Sequence, residues 1–484
     1  MEPFISAPIA NGPDQTSVTA VPQRILTLPM GGLTPAEAFR RLRAHPALRP
    51  VALLESAQAT GPTGRFSFIA LNPFLRIQSI GSMVKLSGSV NQTLRCRPLP
   101  LLRSLLTHYA APSPAPDLPP FLGGAVGYFG YDLVHFFERL PHASRNDLDL
   151  ADLDLYLTGS VVAFDHQEGR ITVAHASFDG KTDMISTETI RQALEQNPAD
   201  GAPPSAGRGS GTVTAGQPQA GYESLVRRCL DYIAAGDIFQ ANLAHRFTIE
   251  LGALEPWTIY ERLRAINPSP FAAFLDFGPV RLVSASPERL VSLQGRRVQT
   301  RPIAGTRPRG AEHQHDQALI RELLTSEKER AEHLMLIDLE RNDLGRVCDY
   351  GSIKVDELMV TERYSHVTHL VSNITGRLYP GKDWLDLFQA VFPGGTVTGV
   401  PKVRCMEIID ELEPVRRGPY SGSIGYLSFA GDMDLNIVIR TLIVQEQTGY
   451  LHVGAGIVAD SDPAREYAET LYKAQAIRAA LARA

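Results

Sequence analysis

The sequence predicts a mixed α/β (α+β) protein, and three observations support this. Short strand-like runs dominate residues 1–196, strands alternate with longer helices over 221–484, and the segment between them is dense in Gly, Pro, Ser and Ala. At 484 residues the chain is long enough for two or three domains or one large one. Apolar residues make up 44% of the chain and charged residues 20%, which excludes a wholly disordered or fibrous protein.

The individual elements follow from local patterns of apolar residues. In the first region, residues 157–164 and 170–174 predict strands, and 187–196 predicts a short helix that runs into a flexible linker or loop at 197–220. Beyond the linker the patterns predict, in order, a helix at 221–235, a strand at 238–251, a charged helix at 316–339, a β-rich stretch at 362–378, two strands within 440–453 that turn at 447–449, and a helix from 462 to the C-terminus.

Charge and cysteine content exclude several classes of protein. Lys and Arg number 47 against 52 Asp and Glu, a net charge of −5, so we expect neither nucleic acid nor anionic lipid as a partner. No run of apolar residues is long enough to span a membrane, and no secretory signal opens the chain, so we expect a cytoplasmic protein. The four cysteines form no C-x-x-C pair, which favours neither a disulfide framework nor a zinc site.

Two Glu-x-x-Glu pairs are the first candidate site. They are Glu329 with Glu332 and Glu466 with Glu469, and each pair lies in a predicted helix, where a spacing of three residues places both carboxylates on one face. If the two faces meet, four converging carboxylates need a hard divalent cation, of which Mg²⁺ is the best match. On spacing alone, solvated helix faces bridged to nearby Lys and Arg side chains are the simpler interpretation.

Two glycine-containing segments are candidate anion sites. Residues 392–402, FPGGTVTGVPK, combine the backbone of Gly394 and Gly395 with the hydroxyl of Thr396 and the charge of Lys402. Residues 454–459, GAGIVA, formally match a dinucleotide fingerprint, but four further residues separate them from the next helix. A backbone nest for a smaller anion such as a carboxylate is therefore the better interpretation of the second segment.

A third candidate site lies around a predicted strand pair that turns at 294–295. Glu288 ends the strand before the pair and a Gly305-Thr306 turn follows it, which places a general acid near a substrate-binding backbone, although a hairpin rim with solvated arginines would look the same. His366 and His369 lie further along the chain, and strand alternation puts them on opposite faces, so only one can face a given site.

These segments together resemble the chorismate-utilising enzymes, the family that includes anthranilate synthase component I, aminodeoxychorismate synthase component I, isochorismate synthase and salicylate synthase. The resemblance covers essentially all of 221–484 through SASPERL, TRPIAGTRPRG, EKERAEHLMLIDLERNDLGRV, FPGGTVTGVPKVRCMEIIDELEP, RRGPYSGSIGYLSF and GAGIVADSDPAREYAETLYKA. It implies a large two-layered sandwich of two facing antiparallel β-sheets with helices outside, in which 1–196 is an N-terminal α/β half and 221–484 the chorismate-binding catalytic region.

The resemblance also implies roles for particular residues. Mg²⁺ is implied as the cofactor, held by Glu329, Glu332, Glu466 and Glu469 against the ring carboxylate of chorismate. The implied catalytic positions are Glu288, which protonates the departing C4 hydroxyl, together with His369, Ala304 and Thr396. The implied substrate-binding residues are Gly305, Thr306, Tyr420, Arg440, Gly454, Ala455, Gly456 and Lys473.

The family resemblance points to two different products, depending on which residues are compared. Isochorismate and salicylate synthases carry a lysine where this chain has Ala304, and so do most aminodeoxychorismate synthases, whereas anthranilate synthases carry alanine. Ser56, Pro270 and Phe271 resemble the tryptophan site of anthranilate synthase, a site that aminodeoxychorismate synthases can also have. Asn242 and Gly395 instead resemble the subclass of aminodeoxychorismate synthase that has alanine in PIAGT. We therefore expect 4-amino-4-deoxychorismate as the product, with anthranilate as the alternative.

Either product requires ammonia, and the sequence contains no cysteine in a glutamine amidotransferase motif. The resemblance therefore implies a separate glutaminase subunit that forms a heterodimer with this chain and supplies ammonia. A catalytically silent homologue that only binds a chorismate-like ligand and a nucleotide-binding protein built on 454–459 remain as alternatives at this point.

Overall fold

The computed structural model describes residues 24–57, 64–176, 186–196, 212–309, 313–363 and 367–482. The strands are β1 (Arg24–Pro29), β2 (Pro50–Glu55), β3 (Phe66–Leu71), β4 (Leu75–Ile80), β5 (Met83–Gly88), β6 (Gln92–Arg95), β7 (Gly124–Phe129), β8 (Leu153–Thr158), β9 (Ser160–Asp165), β10 (Arg170–His175), β11 (Thr212–Ala215), β12 (Gln240–Glu250), β13 (Phe271–Asp276), β14 (Val280–Ser286), β15 (Arg289–Gln294), β16 (Arg297–Arg301), β17 (Ile303–Pro308), β18 (Lys354–Arg363), β19 (Val367–Arg377), β20 (Gly399–Val400), β21 (Ser423–Ser428), β22 (Met433–Asn436), β23 (Thr441–Gln445) and β24 (Thr448–Ile457). The helices are α1 (Pro35–Ala44), α2 (Pro98–His108), α3 (Thr187–Glu195), α4 (Gln219–Ala234), α5 (Pro256–Ile266), α6 (His313–Thr325), α7 (Glu327–Gly345), α8 (Trp384–Val391), α9 (Lys402–Leu412) and α10 (Pro463–Ala482), with short 3₁₀ helices at Tyr131–Phe136 and Gly395–Val397.

The strands form two antiparallel sheets, each built from both ends of the chain. The first sheet runs β1-β10-β9-β3-β2-β13-β14-β23-β24-β12-β11, with β20 paired to β12. The second runs β17-β19-β16-β15-β22-β21-β7-β8-β4-β5-β6, with β18 paired to β19. The N-terminal strands join the later ones at β2 with β13 in the first sheet and at β7 with β21 in the second.

The two sheets face each other across an apolar layer, with helices packed on their outer sides. The layer between them contains side chains from both sheets, such as Phe68 of β3 and Tyr426 of β21, whose ring centroids are 5.3 Å apart. A second apolar cluster joins the outer side of the first sheet to α1, α3, α5 and α10, and a third joins the second sheet to α2, α7 and α8. The predicted sandwich of facing antiparallel sheets with helices outside is thus confirmed.

Most predicted elements are present, but one strand and one helix are wrong. The strand predicted at 157–164 spans the end of β8 and most of β9, which lie in different sheets. The stretch at 316–339 is two helices, α6 and α7, because Ser326 caps the N-terminus of α7 by accepting a hydrogen bond from the Glu329 amide at 3.3 Å. The hairpin turns lie at Gly295–Arg296 and at Glu446–Gln447, close to the predicted 294–295 and 447–449. In the second turn the residue with a positive φ is Glu446 (φ +55°), and not Gly449, the glycine from which the sequence predicts the turn.

Part of the predicted linker also has regular structure. Residues 197–211 lie outside the described part of the chain, whereas Thr212–Ala215 form β11 and Gln219 begins α4. In the described residues, no helix is long and apolar enough to cross a membrane.

Candidate active site

A cavity of about 560 Å³ opens where the edges of the two sheets meet α7 and α10. Its walls come from β12, the β14–β15 loop, β17, β19, β24, the 3₁₀ helix Gly395–Val397, α7 and α10. Most of the residues singled out from the sequence line this one cavity: Glu288, Ala304, Gly305, Glu329, Glu332, His369, Thr396, Tyr420, Arg440, Gly454, Gly456, Glu466, Glu469 and Lys473.

Glu288 is the buried acid of the cavity. Its side chain is 4% exposed, and its Oε1 accepts a hydrogen bond from the Ile303 amide at 3.3 Å. Burial raises the pKa of Glu288 to about 7, although the Ile303 hydrogen bond, the nearby Thr396 hydroxyl and the charges of Lys473 and Arg440 favour its ionised form. A carboxyl group with this pKa carries a proton near neutral pH and can donate it to a leaving group.

His369 is held in the neutral form. It is 3% exposed on β19, and burial, together with the nearby Arg440 charge, lowers the pKa of His369 to about 3, against a hydrogen bond with the Gly305 backbone. A neutral imidazole can accept a proton but has no charge with which to bind a carboxylate. His366, the other histidine of this motif, lies outside the described residues.

The PIAGT segment forms the wall beside His369. Ala304 is 7% exposed and places only a methyl group at this point of the cavity. Gly305 has a φ of +62°, and a Cβ there would lie 2.8 Å from Glu329 Oε2, so glycine leaves room for that carboxylate. For Thr306 the structure describes the backbone alone, which pairs with His369 across the ladder.

The four predicted metal-binding glutamates reach the same cavity from two helices. The pKa of Glu332 is raised by burial and by the charges of Glu329 and Glu469, and the pKa of Glu466 by burial and by Glu469. The two pairs are therefore close enough to act on each other's charge, and Glu466 is buried, whereas the Glu469 side chain is 49% exposed and keeps the solvated character that spacing also allowed. Facing carboxylates with raised pKa values suit a divalent cation, because such an ion removes their mutual repulsion.

Three of these four carboxylates also have a basic or amide side chain as a partner. Glu329 Oε1 lies 3.0 Å from Arg307 Nη1, and Glu332 Oε1 accepts a hydrogen bond from Gln240 at 3.1 Å. Glu469 Oε1 lies 2.8 Å from Lys473 Nζ. In the described part of the chain, no three His, Cys, Asp or Glu side chains are arranged closely enough to hold a metal ion.

Basic and hydroxyl groups gather near the glycines of β24. Lys473 donates a hydrogen bond to the Gly454 carbonyl at 2.8 Å, and burial lowers the pKa of Arg440. Burial raises the pKa of Tyr420 to about 12, so the phenol keeps its proton as a hydrogen-bond donor. These groups suit an anion at this end of the cavity.

The expectation that Lys402 serves as a charge in the cavity is wrong, whereas the backbone-nest role expected of Ala455 stays a prediction that its side chain does not enter. Ala455 is fully buried and packs with Leu243 in the cluster beneath β12 and β24, because alternation turns it away from the cavity that Gly454 and Gly456 line. Lys402 begins α9 and pairs with Asp343, and its Nζ also donates to the Val391 carbonyl at 3.1 Å, so its charge does not serve the cavity.

Several cavity residues were not predicted as site residues. Gln240 and Asn242 of β12 line it, and His452 of β24 does so with both ring nitrogens buried and without a hydrogen-bond partner among the described residues. His452 stacks on Tyr420, with 5.3 Å between ring centroids. Strand alternation could have predicted His452 as a cavity residue, because residues 452, 454 and 456 lie on one face of β24.

Ser56, Pro270 and Phe271 line a second, smaller cavity of about 60 Å³ between the two sheets. Beside it, Glu55 Oε2 accepts hydrogen bonds from Tyr260 at 2.6 Å and from Arg264 at 2.7 Å. The Ser56 hydroxyl is buried and has no partner in the described chain, so it is available to a ligand.

Comparison with known proteins gives consistent results. A family model described as chorismate binding enzyme matches residues 50–479. The chain is 45% identical over 448 residues to anthranilate synthase component 1 of Thermus thermophilus, covering 92% of this chain and 94% of that protein. It is 44% identical over 368 residues to aminodeoxychorismate synthase component 1 of Bacillus subtilis, covering 75% and 78%.

Solved structures show the same architecture. Anthranilate synthase component I from Streptococcus pneumoniae superposes with a TM-score of 0.77 at 35% identity, covering 93% of this chain and 99% of that one. The menaquinone-specific isochorismate synthase of Escherichia coli, at 19% identity and a TM-score of 0.71, shares the fold.

Proposed function

The chain belongs to the family of chorismate-binding enzymes, and from that premise we propose that it catalyses the amination of chorismate by ammonia to 4-amino-4-deoxychorismate. The observation that carries this proposal is one cavity in which a protonatable buried acid, Glu288, faces both an acidic end and a basic end. Chorismate has two carboxylates and a C4 hydroxyl, and each needs a different kind of contact.

The two ends of the cavity suit the two carboxylates. Arg440, Lys473, Tyr420 and the backbone at Gly454 and Gly456 suit the enolpyruvyl carboxylate, because they supply donors and positive charge.

As the four glutamates are placed, no three described acidic side chains are close enough to bind a metal ion, so we propose that these glutamates hold Mg²⁺ after their side chains leave Arg307, Gln240 and Lys473. The ion would then supply positive charge for the ring carboxylate at the acidic end of the cavity.

Ala304 determines which group attacks C2. A lysine at this position would place an amine in the cavity, but alanine supplies no nucleophile, so ammonia itself must form the bond to C2. As that bond forms, the ring double bonds shift and the C4–O bond breaks. Glu288 donates its proton to the departing oxygen, which leaves as water, and it recovers a proton from the new ammonium at C2.

A second ammonia completes the proposed reaction. It attacks C4 of 2-amino-2-deoxyisochorismate, the double bonds shift back, and the C2–N bond breaks. The first nitrogen takes a proton from Glu288 and leaves as ammonia, and the C4 ammonium returns a proton to the carboxylate. Of the two residues that resemble this subclass, Asn242 lines the cavity, whereas Gly395 only precedes the lining residue Thr396, and a Cβ at 395 would clash with the Leu339 side chain.

The cysteines support a separate source of ammonia. Cys229, Cys348 and Cys405 are buried, and burial raises their pKa values to about 12, 11 and 12. Burial also raises the pKa of Cys96. None of these thiols has the lowered pKa that a nucleophilic cysteine needs, so we propose a glutamine amidotransferase subunit as partner.

Anthranilate is the second candidate product. Relatives that carry the name anthranilate synthase component 1, such as the Thermus thermophilus protein, favour it, and so does Ala304. In that case C2 amination is followed by loss of the C2 proton and of pyruvate, so the two candidates share the first step. We propose tryptophan as the ligand of the small cavity at Ser56, Pro270 and Phe271 for either product.

The test is incubation of the purified chain with chorismate, Mg²⁺ and ammonium chloride at alkaline pH, followed by separation and mass analysis of the products. We expect 4-amino-4-deoxychorismate, which gives p-aminobenzoate only after a lyase is added. Direct formation of anthranilate and pyruvate would support the second candidate, and a failure to consume chorismate would overturn both. The same assay with added tryptophan tests the small cavity.

A further inference from the structure

Arg417 is a buried cation that contacts cavity-lining residues without lining the cavity itself. It lies in the loop between α9 and β21 and is 2% exposed. Its guanidinium forms a bidentate ion pair with Glu413, with Nε 2.9 Å from Oε2 and Nη2 2.6 Å from Oε1. A buried ion pair is favourable only when its remaining donors also find partners. The other contacts of this guanidinium therefore decide what the side chain does.

The remaining N–H donors of Arg417 bind segments that build the cavity. Nη2 donates to the Asn242 carbonyl of β12 at 2.7 Å, and Nη1 donates to the Val397 carbonyl of the 3₁₀ helix at 2.7 Å. Nη1 also donates to the Ser421 hydroxyl at 3.1 Å. A guanidinium has five donors in a fixed plane, so these three hydrogen bonds and the ion pair with Glu413 use all of them.

The partners of Arg417 belong to the cavity wall. Asn242 and Val397 both line the cavity, and so does Thr396, which precedes Val397 in the 3₁₀ helix. Tyr420 lines it as well, and its ring centroid lies 5.5 Å from the Arg417 guanidinium carbon. The Tyr420 amide also donates to the Arg417 carbonyl at 3.1 Å. One side chain thus joins β12, the 3₁₀ helix and the loop before β21, which are far apart in the sequence.

Asn242 and Tyr420 meet at the basic end of the cavity, next to Gly454. A Cβ on Gly454 would lie 2.6 Å from Asn242 Oδ1 and 2.7 Å from the Tyr420 hydroxyl, and Lys473 donates to the Gly454 carbonyl. Asn242 Oδ1 is buried and has no hydrogen-bond partner among the described residues, so it is available to a ligand. Arg417 therefore binds residues whose polar groups would face a substrate at this end.

We propose that Arg417 is a positioning residue for the basic end of the cavity. By contacting Asn242, Val397 and the Tyr420 ring at once, it holds these groups in one arrangement before the substrate arrives. A preformed site binds more tightly because the protein does not lose conformational freedom on binding. This inference rests on the proposed function, in which the basic end binds the enolpyruvyl carboxylate of chorismate.

The first test is Arg417→Lys, which keeps the charge but supplies three donors from a single atom. This ammonium cannot bind Glu413 at two oxygens and also reach the Asn242 and Val397 carbonyls. We measure the Kd of chorismate by calorimetry with Mg²⁺ present and ammonia absent. Because these segments lose their common anchor, we expect the Kd to rise about tenfold. An unchanged Kd would overturn the proposal.

Arg76→Lys is the matched control for a buried arginine. Arg76 of β4 also forms a bidentate pair, with Asp154 at 2.8 and 2.6 Å, and its guanidinium carbon lies 5.4 Å from the Tyr156 ring centroid. It does not line the cavity. We expect it to lower the unfolding temperature as Arg417→Lys does, and to leave the Kd of chorismate within about twofold of the wild-type value. An equal rise of Kd in both variants would overturn the proposal.

A double variant separates positioning from the stability of the ion pair. Glu413→Gln with Arg417→Met leaves no charge unpaired in the interior, and glutamine keeps an oxygen for the Ala244 amide, which donates to Glu413 Oε1 at 2.8 Å. We expect this protein to unfold cooperatively and to bind chorismate at least as weakly as Arg417→Lys does. A double variant that folds and binds chorismate like the wild type would show that the pair serves stability alone, which overturns the proposal.

Hydrogen exchange of the ligand-free protein distinguishes a failure of this proposal from a failure of the proposed function. In Arg417→Lys we expect faster amide exchange confined to 240–244, 395–400 and 417–422, and no change in these segments in Arg76→Lys. Faster exchange spread evenly over both sheets would overturn the positioning role even if chorismate is aminated. Confined changes in a chain that does not consume chorismate would support the role of Arg417 and refute the proposed function.

Discussion

At the scale of single residues, Glu288 determines the pH dependence that we expect of the reaction. Its pKa of about 7 is an upward shift caused by burial, so the proton that the leaving hydroxyl needs is present below that pH and lost above it. The rate at constant free ammonia should therefore fall as pH rises through this value.

Replacing this acid should remove turnover and leave binding intact. We expect Glu288→Gln to lower kcat by about 10²- to 10⁴-fold, because the amide cannot donate a proton to the departing oxygen. Chorismate affinity, measured by calorimetry with Mg²⁺ present, should change less than about threefold, since the amide keeps the shape of the carboxyl group. A variant with wild-type kcat would show that another group protonates the leaving hydroxyl.

The sequence predicts some of the residues that line the cavity and misplaces others. Strand alternation separates Gly454 and Gly456 from Ala455, and applied one step further along β24 it also finds His452. The glycine loop before Lys402 predicts its charge at the cavity, but the position of Lys402 depends on Asp343, which is distant in sequence and offers a buried carboxylate. The local sequence pattern does not show which distant residue a charged side chain pairs with in the folded chain.

At the scale of elements, β12 and β24 approach each other closely within the site. Asn242 pairs with Gly456, and a Cβ at Gly454 would lie 2.6 Å from Asn242 Oδ1 and 2.8 Å from the Leu243 carbonyl oxygen. The same Cβ would lie 2.7 Å from the Tyr420 hydroxyl. These strands leave no space for a side chain at that point, and the backbone oxygen cannot move aside without disturbing the ladder.

Gly454→Ala should therefore damage both stability and substrate binding. We expect the free energy of unfolding to fall by about 1–3 kcal/mol, and KM for chorismate to rise by about tenfold or more as Tyr420 is displaced. Gly449→Ala on the same strand is the control, because its Cβ would meet only side-chain atoms, the nearest being Leu442 Cδ1 at 3.0 Å. Denaturant unfolding and steady-state kinetics check both variants, and equal behaviour of the two would contradict the steric argument.

The boundary between α6 and α7 could have been predicted from the sequence. Charged residues continue through 316–339 and conceal the boundary, but Ser326 and Glu329 have the spacing of a helix start, with an N-cap serine and an acid at the third position. This capping pattern predicts a new helix starting after Ser326, and therefore two helices instead of one over 316–339. The pairing of β7 with β21, in contrast, joins strands almost 300 residues apart, and no local pattern specifies it.

At the scale of the whole molecule, each sheet depends on both ends of the chain. Without the first 196 residues, β13 loses its partner β2 and β21 loses its partner β7. Both sheets would then present open edges, and the apolar layer between them would lose Phe68, Tyr128 and their neighbours.

A fragment of residues 197–484 should therefore not fold alone, even though it carries most of the candidate site. We expect aggregation on size-exclusion chromatography and no cooperative thermal transition by circular dichroism. Coexpression with a fragment of residues 1–196 is the control, and it should restore a soluble complex that unfolds cooperatively. A monomeric, cooperatively folded 197–484 fragment would show that the shared sheets are dispensable.

The position of α10 after α7 in the sequence has a consequence for biosynthesis. Two of the four cavity glutamates and Lys473 lie on α10, whereas Glu329 and Glu332 precede it by more than a hundred residues. A growing polypeptide therefore carries only half of the acidic set, and the basic end of the cavity lacks Lys473, until α10 has been synthesised. Nascent chains should be unable to act on substrate, and premature termination anywhere before α10 should yield an inactive product rather than one with altered chemistry.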